Sequence, residues 1–248
     1  MSSFHYNGEE LSHKLIATTA QLLDDAGIPN LLWGDYPLVL MGVPAVPDGG
    51  AFVVADEHLS TSYSTLLDAG FHACNETFDC QLPTGLRGPA PAAHLHLEDG
   101  NPANPISLHR KSEILSMFPT FELAFSDPKT WDIIISSEIC PTLYPFRFLS
   151  ASKFVESTVI LISHNWENRC APWLMGRLSY VMQYLEETEY FKAEDVHPLC
   201  IQFYTALKTG DPKTGLMSLD KIKAINDPEL FSVELISETQ PKSRCEIW

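Results

Sequence analysis

The stretch WGDYPLVLMGVPAVPDGGAFVVADEH, residues 33–58, contains the features that decide the fold of this 248-residue chain. The apolar run NLLW at 30–33 leads into it and predicts a buried strand. Residues 35–41 can form about two helical turns, because Pro37 is tolerated in the first turn of a helix. A loop rich in glycine and proline follows, and the run AFVVA at 51–55 predicts a second buried strand. The predicted order is therefore strand, glycine, short helix, loop and strand.

Periodic apolar positions predict further elements on both sides of this stretch. We predict helices over residues 9–26, 152–164, 172–190 and 197–208, and a helix that begins at Asp56 as its N-cap. We predict strands within residues 71–74, 93–98, 105–115 and 131–135. The last 40 residues are weakly patterned, and no element is assigned to them. The chain thus divides into a predicted α/β region, residues 1–150, and a mostly helical C-terminal region, residues 151–248, packed on it.

The chain is strongly acidic, with 32 Asp and Glu against 16 Lys and Arg and a net charge of −16. Because phosphate backbones are bound by Lys and Arg, this charge argues against nucleic acid and anionic membranes as partners. The sequence contains no run of about 18 apolar residues that could span a bilayer. Its N-terminus lacks the layout of a secretion signal, and its six cysteines are scattered without a CxxC motif. We therefore predict a cytoplasmic protein with reduced thiols.

The order of elements in the opening stretch resembles the nucleotidyltransferase fold. In that superfamily the first strand ends in Gly-Gly or Gly-Ser, an Asp-x-Asp or Asp-x-Glu pair lies on the next strand, and a third carboxylate lies on a later neighbouring strand. Those acids hold the Mg²⁺ ions that bridge the substrate triphosphate. The resemblance implies an α/β fold with a nucleotidyltransferase-like mixed sheet and flanking helices, followed by a mostly helical C-terminal part.

The chain also resembles a group of fungal proteins of uncharacterised function with a degenerate nucleotidyltransferase-like fold. That group shares a GIPxxLWG…L…GVP…FVVPD opening, a later His-x-His strand and a helical tail. The resemblance covers most of the chain, and residues 27–57 are its specific part. It implies the fold more firmly than any activity, and it suggests specialised metabolism.

The positions of the two metal-binding acids depart from the superfamily pattern. Aligned on the strand at 51–55, these positions hold Gly49 and Ala51. Shifting the register places Asp48 at the first position but Gly50 at the second. The phosphate-binding position after the first strand holds Asp35, whose charge would repel a triphosphate; as an alternative, Asp35 is the N-cap of the following helix. These departures predict a protein that is not a Mg²⁺-dependent nucleotidyltransferase.

A second candidate constellation is the strand that contains HLHLE. Side chains alternate along a strand, so His94, His96 and Glu98 share one face. Three interpretations stay open: a structural role, acid/base chemistry or substrate contact, and a metal-ligand set. We expect this strand to lie beside the strand that usually carries the acids. His109 of the next strand is a candidate neighbour of the two histidines, and the sequence leaves the register open.

The resulting candidate site combines these residues with aromatic side chains of the opening stretch and of the C-terminal helices. The candidate catalytic residues are His94, His96, Glu98 and Asp35. The candidate substrate-binding residues are Trp33, Asp48, His109, Trp166, Trp173 and Tyr180, although Trp33 and the aromatic positions of 165–185 are equally typical of core packing. We predict no metal and no cofactor.

Three hypotheses of function follow from the sequence. The first is a repurposed nucleotidyltransferase-fold protein that binds or transforms a small organic molecule between the α/β part and the helices; as an enzyme it would use histidines and acids without a metal. The second is an active nucleotidyl- or adenylyltransferase with relocated ligands such as Asp35, Asp48 and Glu98. The third is a non-catalytic interaction protein. The first is favoured because the frame is retained while the metal-binding acids are absent.

Overall fold

Seven strands form one mixed sheet in the computed structural model, which describes residues 4–74, 80, 82, 85, 88–97, 104–118 and 133–225. The strands are β1 Asn30–Trp33, β2 Gly50–Val54, β3 His72–Ala73, β4 Ala93–His96, β5 Ile106–Arg110, β6 Ile133–Ile135 and β7 Arg147–Leu149. Their spatial order is β3-β4-β5-β2-β1-β7-β6. The first two strands of the chain therefore lie at the centre of the sheet.

Eight α-helices accompany this sheet within the described residues. They are α1 His13–Asp25, α2 Asp35–Leu40, α3 Leu59–Asp68, α4 Lys111–Ile114, α5 Ala151–Asn165, α6 Ala171–Tyr184, α7 Pro198–Thr209 and α8 Pro212–Ala224. Side-chain caps fix several of their starts: Ser12 accepts from the Leu15 N–H, Ser150 from the Lys153 N–H. The helices of the C-terminal region thus begin immediately after β7.

The register across the central strands places one row of residues on the same face of the sheet. Trp33 pairs with Ala51, Ala51 with Ser107, and Ser107 with His94. The β1–β2 and β4–β5 pairs are antiparallel, whereas β2 and β5 are parallel. Paired residues of neighbouring strands project from the same face, so this row runs from β1 to β4 across the sheet.

Helices cover both faces of the sheet. On one face, Ile16 of α1 lies against Gly50, where an added Cβ would be 2.4 Å from the Ile16 Cδ1 atom. On the other face, Phe154 of α5 packs against Trp33, with ring centroids 6.2 Å apart. One core of buried apolar residues includes members of the sheet and of the C-terminal helices. The division of the chain at residue 150 stays a prediction.

The predicted α/β fold class is confirmed: the chain has a mixed sheet, flanking helices and a helical C-terminal part. The predicted role of Asp56 is wrong, because a 3₁₀ turn at Asp56–His58 precedes α3 and the Asp56 carboxylate accepts hydrogen bonds from Ser112 instead. Helix α8 was not predicted from the sequence. Residues 226–248 lie outside the described part of the chain.

Candidate functional site

Gly49 and Ala51, the two positions that would hold metal-binding acids, have surroundings that favour small residues. Gly49 has a φ of +135°, and a Cβ added to it would lie 2.3 Å from the carbonyl oxygen of Pro105. Ala51 stands in the row between Trp33 and Ser107. On the neighbouring strand β5, the residue that pairs with Ala51 is Ser107, which offers a hydroxyl. None of the three positions holds an acid.

The alternative register fails for a geometric reason. Its second acid position is Gly50, which faces Ile16 of α1 on the opposite side of the sheet from Trp33. Its first position, Asp48, is exposed in the loop before β2. In this register, too, a metal ion would lack its second ligand, because Gly50 has no side chain and faces α1, away from the face of Trp33 and Ala51.

Asp35 forms a buried ion pair that joins the opening stretch to the C-terminal helices. It is the first residue of α2, and the N-cap of this helix is Gly34, so no side chain caps it. The alternative in which Asp35 caps this helix is therefore wrong. Its carboxylate instead accepts two hydrogen bonds from the guanidinium of Arg177 in α6. The Asp35 side chain is 7% exposed and that of Arg177 is 14% exposed. This pair lies directly after β1, at the start of α2.

Arg177 is held by two aromatic rings of its own helix as well as by Asp35. Its guanidinium carbon lies 4.0 Å from the ring centroid of Trp173 and 5.5 Å from that of Tyr180, within the range of cation–π attraction. Burial raises the pKa of Asp35, the neighbouring Asp48 adds to this shift, and the Arg177 guanidinium opposes it. The pairing thus compensates the charge that burial would otherwise disfavour.

An aromatic cluster lies beside this ion pair, with Trp33 at its centre. The ring centroid of Trp33 lies 6.0 Å from that of His109, 6.4 Å from that of Trp173 and 6.2 Å from that of Phe154. Trp33, His109 and Phe154 are buried, whereas Trp173 is half-buried. The cluster therefore reaches the surface through Trp173. Burial lowers the pKa of His109 to about 4, so its imidazole is neutral at pH 7.

Three ring nitrogens of this cluster are buried and have no hydrogen-bond partner among the described residues. They are Nε1 of Trp33, Nε1 of Trp173 and Nδ1 of His109. The indole nitrogens can only donate, while the neutral imidazole nitrogen donates or accepts according to its tautomer. Because buried polar groups are nearly always hydrogen-bonded in folded proteins, three in one cluster mark a place where a polar ligand would be stabilised.

The two histidines of β4 lie elsewhere than expected from the sequence. Strand β4 pairs with β3 and β5, so β5 separates it from β2, and the expected neighbourhood with the acid-bearing strand is wrong. His109 pairs with Val53 of β2 and does not stand opposite the two histidines; His94 faces Ser107 instead. The predicted site is thus divided by its contacts: His94 and His96 lie with residues next to β3, whereas His109 lies further along β5 and contacts Trp33.

At that edge the two histidines meet two cysteines. The rings of His94 and His96 have centroids 5.2 Å apart, and the Cys80 Sγ atom lies 3.2 Å from Nε2 of His94. One donor atom from each of Cys74, Cys80, His94 and His96 lies within 4.8 Å of all the others. Sulfur and imidazole nitrogen are the donors that bind zinc, copper and iron in proteins.

The environment of this Cys/His cluster disfavours charge on its members. Burial lowers the pKa of His94, and the neighbouring His96 lowers it further. Burial likewise raises the pKa of the Cys80 thiol, and its hydrogen bond with Cys74 adds to the shift. Both pKa shifts favour the neutral forms of His94 and Cys80.

The remaining predicted residues are distributed between these regions and the surface. Tyr180 contacts Arg177. Asp48 is exposed, and its charge raises the pKa of Asp35. Trp166 is 44% exposed at the end of α5, about 18 Å along the helix from Phe154. Glu98 lies outside the described residues. Trp166 is thus separate from the aromatic cluster.

Sequence reasoning missed three residues that the structure brings into these clusters. Arg177 follows Trp173 by four positions on one helix, a spacing that places the two side chains side by side and could have been recognised. Cys74 and Cys80 were noted only as scattered thiols. Their approach to the histidine strand depends on the pairing of β3 with β4, which has no local signal.

Comparison with solved structures finds an antigenic nucleotidyltransferase-like protein from Paracoccidioides brasiliensis. It is 14% identical, and the superposition covers 84% of this chain and 91% of that chain with a TM-score of 0.46. No family model and no curated protein matches the sequence. The roles of the residues are therefore argued from the geometry of this chain.

None of the helices within the described residues is long and apolar enough to cross a membrane.

Proposed function

We propose that the protein uses a repurposed nucleotidyltransferase-like fold to bind a small, planar organic molecule between the sheet and the C-terminal helices. The observation that carries this proposal is the group of buried ring nitrogens of Trp33, Trp173 and His109 without partners among the described residues. A ligand with carbonyl or hydroxyl oxygens would accept from the two indoles and bond the imidazole. Its flat ring would pack against the aromatic side chains.

Charge supports an uncharged ligand over a nucleotide. The guanidinium of Arg177 is already engaged by both oxygens of Asp35, so it offers a triphosphate no free cation. The imidazole of His109 is neutral, with a pKa of about 4. Gly49, Ala51 and Ser107 cannot bind Mg²⁺ as carboxylates do.

The proposal assigns binding to this site instead of turnover. A histidine with a pKa of about 4 is a weak base and is not an acid at pH 7, so His109 acts as a hydrogen-bonding group. Asp35 acts through its ion pair, which holds α6 and Trp173 over the sheet. Trp173, as the half-buried ring, is the residue that a ligand meets first.

The setting that we propose is fungal specialised metabolism in the cytoplasm. Its support is the resemblance of residues 27–57 to the fungal group and the acidic composition, with a net charge of −16. A metabolite comparison between a parental strain and one that lacks the gene tests this part. An unchanged metabolite profile would contradict it.

A thermal-shift screen tests the binding proposal. Its library consists of planar, oxygen-bearing compounds such as coumarins, flavones, quinolones and anthraquinones. At least one class is expected to raise the Tm and to bind with a Kd below about 100 µM, or about −5.5 kcal/mol. Trp173→Phe and His109→Gln should weaken binding about tenfold each, the loss of roughly one hydrogen bond, while the control Trp166→Phe binds normally. Equal binding by all three variants would place the ligand elsewhere.

Calorimetry with nucleotides tests whether the protein could be a Mg²⁺-dependent nucleotidyltransferase. ATP, GTP and CTP, each with Mg²⁺ or Mn²⁺, are expected to bind no more tightly than about 1 mM, about −4 kcal/mol. A micromolar Kd that is lost when a chelator is added would restore the hypothesis of an active nucleotidyltransferase.

A further inference from the structure

We propose that Cys74, Cys80, His94 and His96 bind one Zn²⁺ ion at the β3 edge of the sheet. The four side chains come from three separate pieces of chain: the end of β3, the following loop and strand β4. Their donor atoms lie within 4.8 Å of one another. Two thiolates and two imidazoles are a common tetrahedral donor set of structural zinc sites. The inference does not depend on the proposed ligand of the aromatic cluster.

The distances agree with one coordination sphere. With Zn–S bonds of about 2.3 Å and Zn–N bonds of about 2.0 Å, tetrahedral angles separate the donors by about 3.3–3.8 Å. The Cys80 Sγ to His94 Nε2 distance is 3.2 Å, and all other donor pairs lie within 4.8 Å. Closing the set around an ion therefore requires side-chain shifts of about 1 Å or less.

The backbone explains why these donors meet. His72 pairs with His96 and Ala73 with Leu95, so the next residue, Cys74, continues towards His94 on the same face of the sheet. His94 and His96 share that face because they are two residues apart on β4. Cys80 then returns from the loop to contact His94. Two ligands thus come from β4 and two from the segment that precedes it.

The same geometry argues against a two-iron cluster. In a Rieske-type centre two cysteines bind one iron and two histidines bind the other, so sulfur and imidazole do not share a metal. Here a cysteine sulfur and a histidine nitrogen are within direct contact distance. A single ion with mixed donors fits this arrangement. Since four protein donors fill a tetrahedral ion, the site is structural and leaves no position for a substrate.

One proposed zinc ligand lies close in sequence to a residue of the aromatic cluster's surroundings. Cys80 is followed eight positions later by Gly88, which is buried against Trp173. A Cβ added to Gly88 would lie 3.2 Å from the Trp173 ring. Zinc at the β3 edge would therefore hold Cys80, which lies eight positions before a glycine that packs on a ring of the proposed binding site.

Metal analysis of the reduced full-length protein tests this proposal. Purified protein is expected to contain one zinc per chain, and chelator-treated protein should rebind it with a Kd below about 0.1 µM. Zinc at 100 times its Kd should raise the Tm by about 5–10 °C. Replacement by Co²⁺ should produce the strong visible absorption of a tetrahedral ion, with thiolate-to-cobalt charge-transfer bands.

Variants identify the ligands. Cys74→Ser and Cys80→Ser should each remove about half of the charge-transfer intensity and weaken zinc binding by about 100-fold or more. His94→Gln and His96→Gln should weaken binding similarly while both sulfur bands remain. The controls are Cys140→Ser, a half-buried thiol outside the cluster, and His58→Gln, which should both keep one zinc.

Measurements on the wild-type protein are sufficient to contradict the proposal. The test therefore does not depend on whether every variant folds. Reduced wild-type protein that retains no zinc, or that gives the weak spectrum of octahedral cobalt, contradicts the site. So does a Cys74–Cys80 disulfide that persists in place of the metal under mild reductant. Equal loss of zinc in the Cys140→Ser control would show that the ion binds elsewhere.

Discussion

Gly49 stands at a position where the backbone itself excludes a side chain. Its φ of +135° is unfavourable for other residues, and a Cβ there would lie 2.3 Å from the Pro105 carbonyl oxygen, which accepts the Gly50 N–H. The backbone of the loop before β2 thus excludes a carboxylate at this position. Restoring an aspartate would cost stability before it could bind a metal.

Substitution of Gly49 tests this argument. Gly49→Ala is expected to lower the free energy of unfolding by about 3 kcal/mol or more, from backbone strain and the clash together. The matched control is Gly42→Ala, which has a φ of +101° but open space around the added Cβ. It should cost about 1 kcal/mol. Urea unfolding of both variants measures the difference, and equal losses would mean that the loop yields to the side chain.

His109 should make stability depend on pH. Its pKa is about 4 in the folded protein against about 6.5 when unfolded, so the unfolded chain binds the extra proton between these values. The stability contributed by the neutral ring is complete above pH 6.5 and is lost as the pH falls towards 4. Between pH 7 and pH 5 the loss is about 2 kcal/mol.

The variant His109→Gln isolates this contribution. His94 and His164 also have pKa values lowered by burial, so the wild-type profile contains their share as well. The difference between wild type and His109→Gln in denaturant unfolding at pH 7 and pH 5 reports His109. His58→Gln serves as the control variant. If wild type and His109→Gln lose equal stability on acidification, the ring is not buried in its neutral form.

An ion pair joins helix α6 to Asp35 at the start of α2, directly after the central strand β1. Removal of Arg177 would leave the Asp35 carboxylate buried with its main partner gone. Arg177→Met is therefore expected to cost about 3–5 kcal/mol, because an uncompensated buried charge is strongly unfavourable. Asp35→Asn combined with Arg177→Met should recover part of that loss. Thermal and urea unfolding measure both variants.

An exposed ion pair of the same region provides the control. Lys208 and Glu186 pair with side chains that are 52% and 21% exposed. Lys208→Met should cost no more than about 1 kcal/mol, since solvent screens the pair. An equally small effect of Arg177→Met would show that α6 is held by its apolar contacts alone.

Local signals identified most elements but not all. The apolar runs before and after the opening loop correctly predicted β1 and β2, because both strands are buried on both faces. Helix α8 was missed although Asp211 caps it and Pro212 starts it, a common signature of a helix N-terminus. The two-residue strand β3 has too few positions for a periodic pattern, so its pairing with β4 had to come from the structure.

The sheet and the C-terminal helices should unfold together. Trp33 of the central strand packs against Phe154 and Trp173, and one buried core includes both parts of the chain. A fragment of residues 1–150 is therefore expected to lack the cooperative unfolding of the full chain. Circular dichroism and tryptophan fluorescence measure these transitions. A cooperatively folded 1–150 fragment would establish two independent domains instead.

The sequence alone determined the fold class and the absence of the usual metal-binding acids. Both are local properties: buried strands appear as apolar runs, and an acid is either present or absent at a position. The tertiary structure alone decided which side chains meet. It grouped His94 and His96 with Cys74 and Cys80, placed His109 beside Trp33, and paired Asp35 with Arg177. The reason is physical, because such contacts depend on strand order and register, which are set by packing over the entire core.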